Sequence, residues 1–244
     1  MSGHSKWHNI KIKKGKADQQ RGKLFSKLAR EIIIAAKDGG ADPANNMRLR
    51  SAIERARDAS MPNDNIQRAV QRGAGGGDGA TFEEITYEGM GPAGVALLIQ
   101  VATDNRNRTA SEVRNVLTKA GGSMGASVAW MFDKKGLITL PRSVASEDEV
   151  ITKAIDAEDI KTTDGEYEIT TAPEDFVKVR RALEGAGWKP TLAEVTMVPK
   201  SSVAVSGKDA QHVLRLMEAL EDHDDVQHVY ANFDIPDEVL QQVG

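Results

Sequence analysis

Apolar positions in "KLFSKLAREIIIAAKDGG" recur every three or four places, at Leu24, Leu28, Ile32 and Ala35 or Ala36. That period puts them on one face of an α-helix. Lys37 falls in its last turn, and Gly39 or Gly40 supplies the left-handed conformation that ends it. A second helix is expected in "DPANNMRLRSAIERARDASMP". Asp42 would cap it, Pro43 would sit in the first turn where no helical N–H bond is lost, and Leu49, Ala52, Ile53 and Ala56 would form its buried stripe. Pro62 stops that helix. "NDNIQRAVQRG" then predicts a third, burying Ile66, Ala69 and Val70 and ending at Gly73. Three amphipathic helices with short joins predict a three-helix bundle.

Beyond residue 80 the period changes. "EEITYEG" and "GVALLIQVAT" read as strands joined by a Gly-Pro turn, and "TASEVRNVLTKAGG" as a helix with Thr109 and Glu112 spaced as a capping box. "SVAWMF" is expected to be a third strand. Next come the strand "GLITL", a helix over 146–157, a hairpin of "DIKTT" and "EYEITT" around Asp164-Gly165, a helix over 173–187 and the strand "AEVTMVP". The order βαββαβ is the ferredoxin-like arrangement. "SSVAVS", "GKDAQHVLRLMEALEDH" and "VQHVYANF" add strand, helix and strand. The expected fold class is α+β multidomain. A basic arm and three-helix bundle (1–80) precede an α+β domain (81–135 with 200–240), which is interrupted by an inserted ferredoxin-like domain (136–199). "GAGGGDGA" at 73–80 follows a helix and leads into a strand, the reverse of a phosphate-binding loop, so it reads as a flexible linker.

Composition alters this picture mainly through charge. The 244 residues carry a formal net charge of −4, yet residues 1–75 hold sixteen Lys or Arg against seven Asp or Glu. The remainder is correspondingly acidic, and such asymmetry points to a polyanionic partner for the basic part. A merely solvated basic surface is the competing explanation. Cysteine is absent, which removes disulfides, thiolate zinc sites and thiol nucleophiles. No apolar run approaches the length of a membrane span. Residues 1–17 lack acids, as a transit peptide would, but their charge is all lysine and they show no amphipathic period, so a cytosolic location is expected.

Enzyme constellations are missing. His4 and His8 are four apart with no third metal ligand nearby, and His223 lies in the acidic stretch "EDHDD", read as a solvated turn. There is no H-E-x-x-H or G-x-S-x-G motif. No catalytic residue, cofactor or metal site is therefore assigned, and an enzyme is not expected. The basic segment differs in kind. Lys6, Lys11, Lys13, Lys14, Lys16, Arg21, Lys23, Lys27 and Arg30 surround Trp7, and such cations neutralise phosphates with release of counterions. Trp7 would either stack on an unpaired base or fold back as a core anchor. Arg48, Arg50, Arg55, Arg57, Arg68 and Arg72 extend the basic character over the bundle. In "DNRNRTASEVR", Arg106 and Arg108 feed a helix N-terminus, either as an anion site or as solvated arginines beside an Asx turn.

"GHSKW" at 3–7, "RGKLFSKLAREI" at 21–32, "GGADP" at 39–43, "LRSAIERA" at 49–56, "MPNDNIQRAVQRG" at 61–73, "TDNRNRTASEVR" at 103–114 and "EDHDDVQHVYANF" at 221–233 resemble the YebC family. So do "YEGMGP" at 87–92 and "VAWMF" at 128–132. The resemblance implies a helical N-terminal domain, two α+β domains with the third inserted in the second, and no enzymatic activity. It further implies a DNA-binding regulator of transcription or, alternatively, a ribosome-associated translation factor that contacts RNA and eases stalls at proline-rich sequences. The partner is nucleic acid in both cases, and the acidic α+β part would position the bundle, repel unwanted nucleic-acid contact or meet a protein partner. A small-ligand sensor built on the ferredoxin-like unit is a third, different class.

Overall fold

The computed structural model describes residues 19–75, 81–163 and 165–236. The described residues open with three helices, α1 (Gln19–Gly39), α2 (Met47–Asp58) and α3 (Asn63–Gly73). Leu28, Ile32, Ala35 and Ala36 of α1 are buried against Leu49, Ala52, Ile53 and Ala56 of α2 and Ile66 and Ala69 of α3. Leu24 is instead exposed, and Val70 is only half-buried. Fully buried Ile32, Leu49 and Ile66 each contribute about 1.5–3 kcal/mol relative to an exposed position.

The start of α2 differs from the expected one. Asp42 Oδ1 accepts the Ala44 amide at 2.9 Å in a separate turn, and the helix begins four residues later than expected, under Asn46. Asn46 Oδ1 accepts the Leu49 amide at 3.0 Å, while its Nδ2 donates to the carbonyls of Ala35 at 2.7 Å and Gly40 at 2.8 Å. One buried amide thus caps α2 and ties it to the end of α1. Gly73, at the end of α3, lies so close to α1 that a Cβ there would meet the Ile33 carbonyl at 2.4 Å.

The first sheet contains β1 (Glu83–Met90), β2 (Ala96–Thr103), the two-residue β3 (Ser123–Met124) and β9 (Val226–Ala231), in the order β3-β1-β2-β9, all antiparallel. Between them in the chain come α4 (Arg106–Lys119), β4 (Phe132–Pro141), α5 (Glu147–Lys153), β5 (Asp159–Thr162), β6 (Glu166–Thr171), α6 (Phe176–Gly185), β7 (Leu192–Pro199), β8 (Val203–Ala204) and α7 (Gly207–Glu221). Alternate residues of β2, namely Leu97, Ile99 and Val101, pack with Val229 and Ala231 against Val113 and Leu117 of α4 and Val213, Leu214 and Met217 of α7. The opposite face is covered from two sides. Ala102 packs into the core of the helical unit, and Ala96 and Leu98 pack with Tyr230, Val128 and Phe132.

The second sheet has the order β5-β6-β4-β7, all antiparallel, with α5 and α6 supplying Val150, Val179 and Leu183 against Ile138, Leu140 and Ile169. This is the ferredoxin-like arrangement, and the fold is α+β multidomain. β4 and β7 pair from Thr139↔Leu192 to Phe132↔Pro199, carrying the second sheet up to the cluster around Tyr230. "SVAWMF" is not a strand. Glu88 Oε2 accepts the amides of Val128 at 2.6 Å and Ala129 at 2.7 Å, and residues Ala129–Met131 form a 3-10 turn before β4. The same amides cannot then join a ladder. "SSVAVS" is reduced to β8, which pairs in parallel with β10 (Phe233–Asp234).

Candidate nucleic-acid interface

Lys6, Trp7, Lys11, Lys13, Lys14 and Lys16 lie outside the described residues, as do His4, His8 and the linker residues 76–80. The remaining cations of the basic segment lie on α1. Arg21 is exposed in its first turns. Lys23, Lys27 and Arg30 follow at spacings of four and three, a single stripe on the helix. That stripe faces the end of α7. Lys23 Nζ donates to the Asp222 carbonyl at 3.2 Å and lies 3.6 Å from its carboxylate, and Lys27 Nζ donates to the Glu221 carbonyl at 2.6 Å. Arg30 donates to the Asp224 carbonyl and pairs with Asp225 Oδ1 at 3.2 Å. The C-terminal end of a helix concentrates unsatisfied carbonyls and partial negative charge, so three cations there are favourably placed.

Asp225 is the centre of this contact. Its side chain is 5% exposed. Oδ2 accepts the Thr109 hydroxyl at 2.6 Å, pairs with Arg108 Nη2 at 3.1 Å and lies 3.2 Å from Thr103 Oγ1. Burial alone would raise the Asp225 carboxyl. The hydrogen bonds from Thr109 and Arg108, with the charges of Arg30 and Arg108, outweigh burial and hold it below the ordinary carboxylate range. Helix α4 therefore does not start at Thr109. Asn105 caps it, accepting the Arg108 amide at 3.1 Å, and Thr109 sits one turn inside with its hydroxyl turned to Asp225.

His223 is tied into the same turn. Its Nδ1 accepts the Asp225 amide at 3.1 Å, so its ring proton lies on Nε2, 2.9 Å from Glu112 Oε2. Glu112, His223 and Asp225 have ligand atoms within 4.8 Å of one another. Two arginines pair with Asp225 and the His223 Nε2–H faces Glu112, so ion pairs and a hydrogen bond already engage the ligand atoms of the trio. Beside it, Lys23, Arg30, Arg108, Glu112 and Asp222 help line an open cavity of about 630 Å³. Its lining sets these three cations beside the carboxylates of Glu112, Asp222, Asp224 and Asp225.

Residues 5–76 match the family model described as the TACO1/YebC protein N-terminal domain, and residues 82–233 match that of the TACO1/YebC second and third domain. The chain belongs to the TACO1/YebC family. Relatives from Dictyoglomus turgidum and Dictyoglomus thermophilum, each named "Probable transcriptional regulatory protein", are 56% identical over 249 residues and are matched over 100% of both chains. One of the same name from Desulforamulus reducens is 56% identical over 96% of this chain and 99% of its own. Among solved structures, a conserved hypothetical protein, Aq1575 from Aquifex aeolicus, superposes with a TM-score of 0.79 at 50% identity, covering 92% of this chain and 94% of that one.

Within this frame the outer arginines divide. Arg48 pairs with Asp38 at 3.3 Å and with Glu84 on β1, and Arg55 pairs with Glu31. Arg50 donates to the carbonyls of Pro43 at 2.9 Å and Ala44 at 2.7 Å. Arg30 and Arg72 both place a guanidinium on Phe82, at 5.4 and 5.2 Å from the ring centre. Arg106 is exposed at the start of α4, whereas Arg108 is held by Asp104 at 2.7 Å and by Asp225. The structure thus gathers Lys23, Lys27, Arg30 and Arg108 at one point, with Arg21 and Arg106 exposed. Sequence reasoning missed Asp225 and Thr109. The available signal was the four-three spacing of Lys23, Lys27 and Arg30, together with the distant acidic run Glu221, Asp222, Asp224 and Asp225.

Proposed function

We propose that the protein is a non-enzymatic, nucleic-acid-binding regulator of gene expression, acting on DNA. The observation that carries this reading is the full-length similarity to proteins named probable transcriptional regulatory proteins. The physical means is the basic N-terminal segment, where Lys6, Lys11, Lys13, Lys14 and Lys16 precede the first acid, Asp18. Lysines in such a run bind the phosphate backbone without reading sequence, and their affinity falls steeply with salt. The contacts of Lys23, Lys27 and Arg30 with the α7 turn support a division of labour. These cations fix the helical unit, and those before residue 22, with Arg106, meet phosphates.

The test is the salt dependence of binding to duplex DNA, followed by anisotropy of a labelled oligonucleotide. Replacing Lys11, Lys13, Lys14 and Lys16 by Gln should flatten the slope of log affinity against log salt by roughly 0.9 for each lost phosphate contact. An unchanged slope would remove the segment from the interface. Co-sedimentation with ribosomes at low and moderate salt separates the translation factor implied by the family resemblance. Lysine-dependent movement with ribosomes, without DNA affinity, would replace the DNA reading.

A further inference from the structure

Trp130 is the only exposed Trp, Tyr or Phe among the described residues, with 68% of its surface open to solvent. Its exposure is imposed by a fixed turn. Glu88 Oε2 takes the Val128 and Ala129 amides, the Met131 amide donates to the Val128 carbonyl at 2.9 Å, and Trp130 Nε1 donates to the Ser127 carbonyl at 3.1 Å. Buried Val128 and Phe132 anchor the turn on both sides, and the Lys200 amide ties it to β7 through the Met131 carbonyl at 2.9 Å. An indole that satisfies its own N–H and still faces water presents a π-surface that folding has left uncovered.

The surroundings select the partner. Ser127, Ala129, Asp133, Lys134 and Lys200 are exposed and Met131 is half-buried, so the exposed positions near the ring in the chain are small or charged. Lys134 places a positive charge four residues from the ring in the chain, which suits a polyanion better than an apolar protein surface. A nucleobase needs only a flat aromatic face and tolerable charge nearby. Both local carboxylates meet that condition, since Glu88 is occupied by two amides and Asp133 pairs with Lys200 at 3.2 Å.

We propose that Trp130 is a stacking platform for an unpaired base of a single-stranded nucleic acid. This rests on the nucleic-acid reading above and extends it, adding a base contact on the α+β part to phosphate contacts on the basic segment. Stacking demands an unstacked base, so the ring discriminates single strands from duplex.

The full-length chain carrying Trp7→Phe and Trp188→Phe leaves Trp130 as the sole indole. Titration with a labelled thymidine or deoxyadenosine 12-mer DNA, and with its duplex, reads binding by anisotropy and stacking by tryptophan emission. The expected result is quenching that saturates together with binding to the single strand and is absent with the duplex. Trp130→Ala, in the otherwise wild-type chain, should weaken single-strand binding about tenfold, while Trp130→Phe retains most of it. Single-strand binding with unquenched Trp130 emission and an unchanged Trp130→Ala affinity would overturn the stacking platform and leave phosphate binding standing. No binding of either form would overturn the nucleic-acid reading, and this proposal with it.

Discussion

Two sets of cations in the helical unit look alike in the sequence and are placed differently in the fold. Lys23, Lys27 and Arg30 on α1 grip the carbonyls and carboxylates at the end of α7, nearly two hundred residues away. Arg57 on α2 and Arg68 on α3 face water, and the donation from Arg68 to the Asp64 carbonyl stays within its own helix. The first set fastens the helical unit to the α+β part, and the second can meet a solvent-borne partner. Net charge counts them equally, so it overstates the surface open to a polyanion.

The strongest way to break this comparison is at its centre. Asp225→Ala strands Arg30, Thr109 and Arg108 and should lower stability by about 3 kcal/mol, because a buried carboxylate holding charged partners is removed. Arg57→Ala should leave the urea midpoint unchanged. Equal effects in the two variants would erase the distinction between fastening and free cations.

Acid sharpens it. The folded-state Asp225 carboxyl is held below its ordinary value of 3.8. Its contribution is therefore fully present above the unfolded-state value and is lost as pH falls through the lower folded-state value. Urea midpoints measured from about pH 5 down to about pH 2 should fall, and Asp225→Asn should flatten the part of that fall due to this group. A parallel fall in both proteins would mean that other carboxylates govern acid unfolding.

The smallest effect lies at the helix end. Lys23→Ala combined with Lys27→Ala should lower stability by about 1 kcal/mol at low salt, and by less at about 0.5 M salt, because partly exposed charges are screened. A loss that is the same at both salts would point to packing of the lysine stems instead.

Much of the fold was legible because burial follows local period. Leu49, Ala52, Ile53 and Ala56 announced the inner face of α2, and the βαββαβ order announced the second sheet. Boundaries failed where a distant or competing partner intervened. Asp42 makes its own turn and leaves the cap to Asn46, which also binds the carbonyls of Ala35 and Gly40. "SVAWMF" has the composition of a strand, but Glu88 takes the amides that a ladder would need.

By itself, then, the sequence determined the helical stripes, the alternation of strands and helices after residue 80, and the concentration of positive charge before residue 76. Side-chain periodicity and charge are local properties, and a chain carries them before it folds. Only the tertiary structure decided which cations meet which anions. The Asp225 network joins Arg30, Thr103, Arg108 and Thr109, drawn from α1, β2, α4 and the turn before β9. An ion pair between such distant positions needs only opposite charges, which occur throughout the chain, so no spacing marks the chosen partners. Packing of the first sheet against both α1 and α7 selects them.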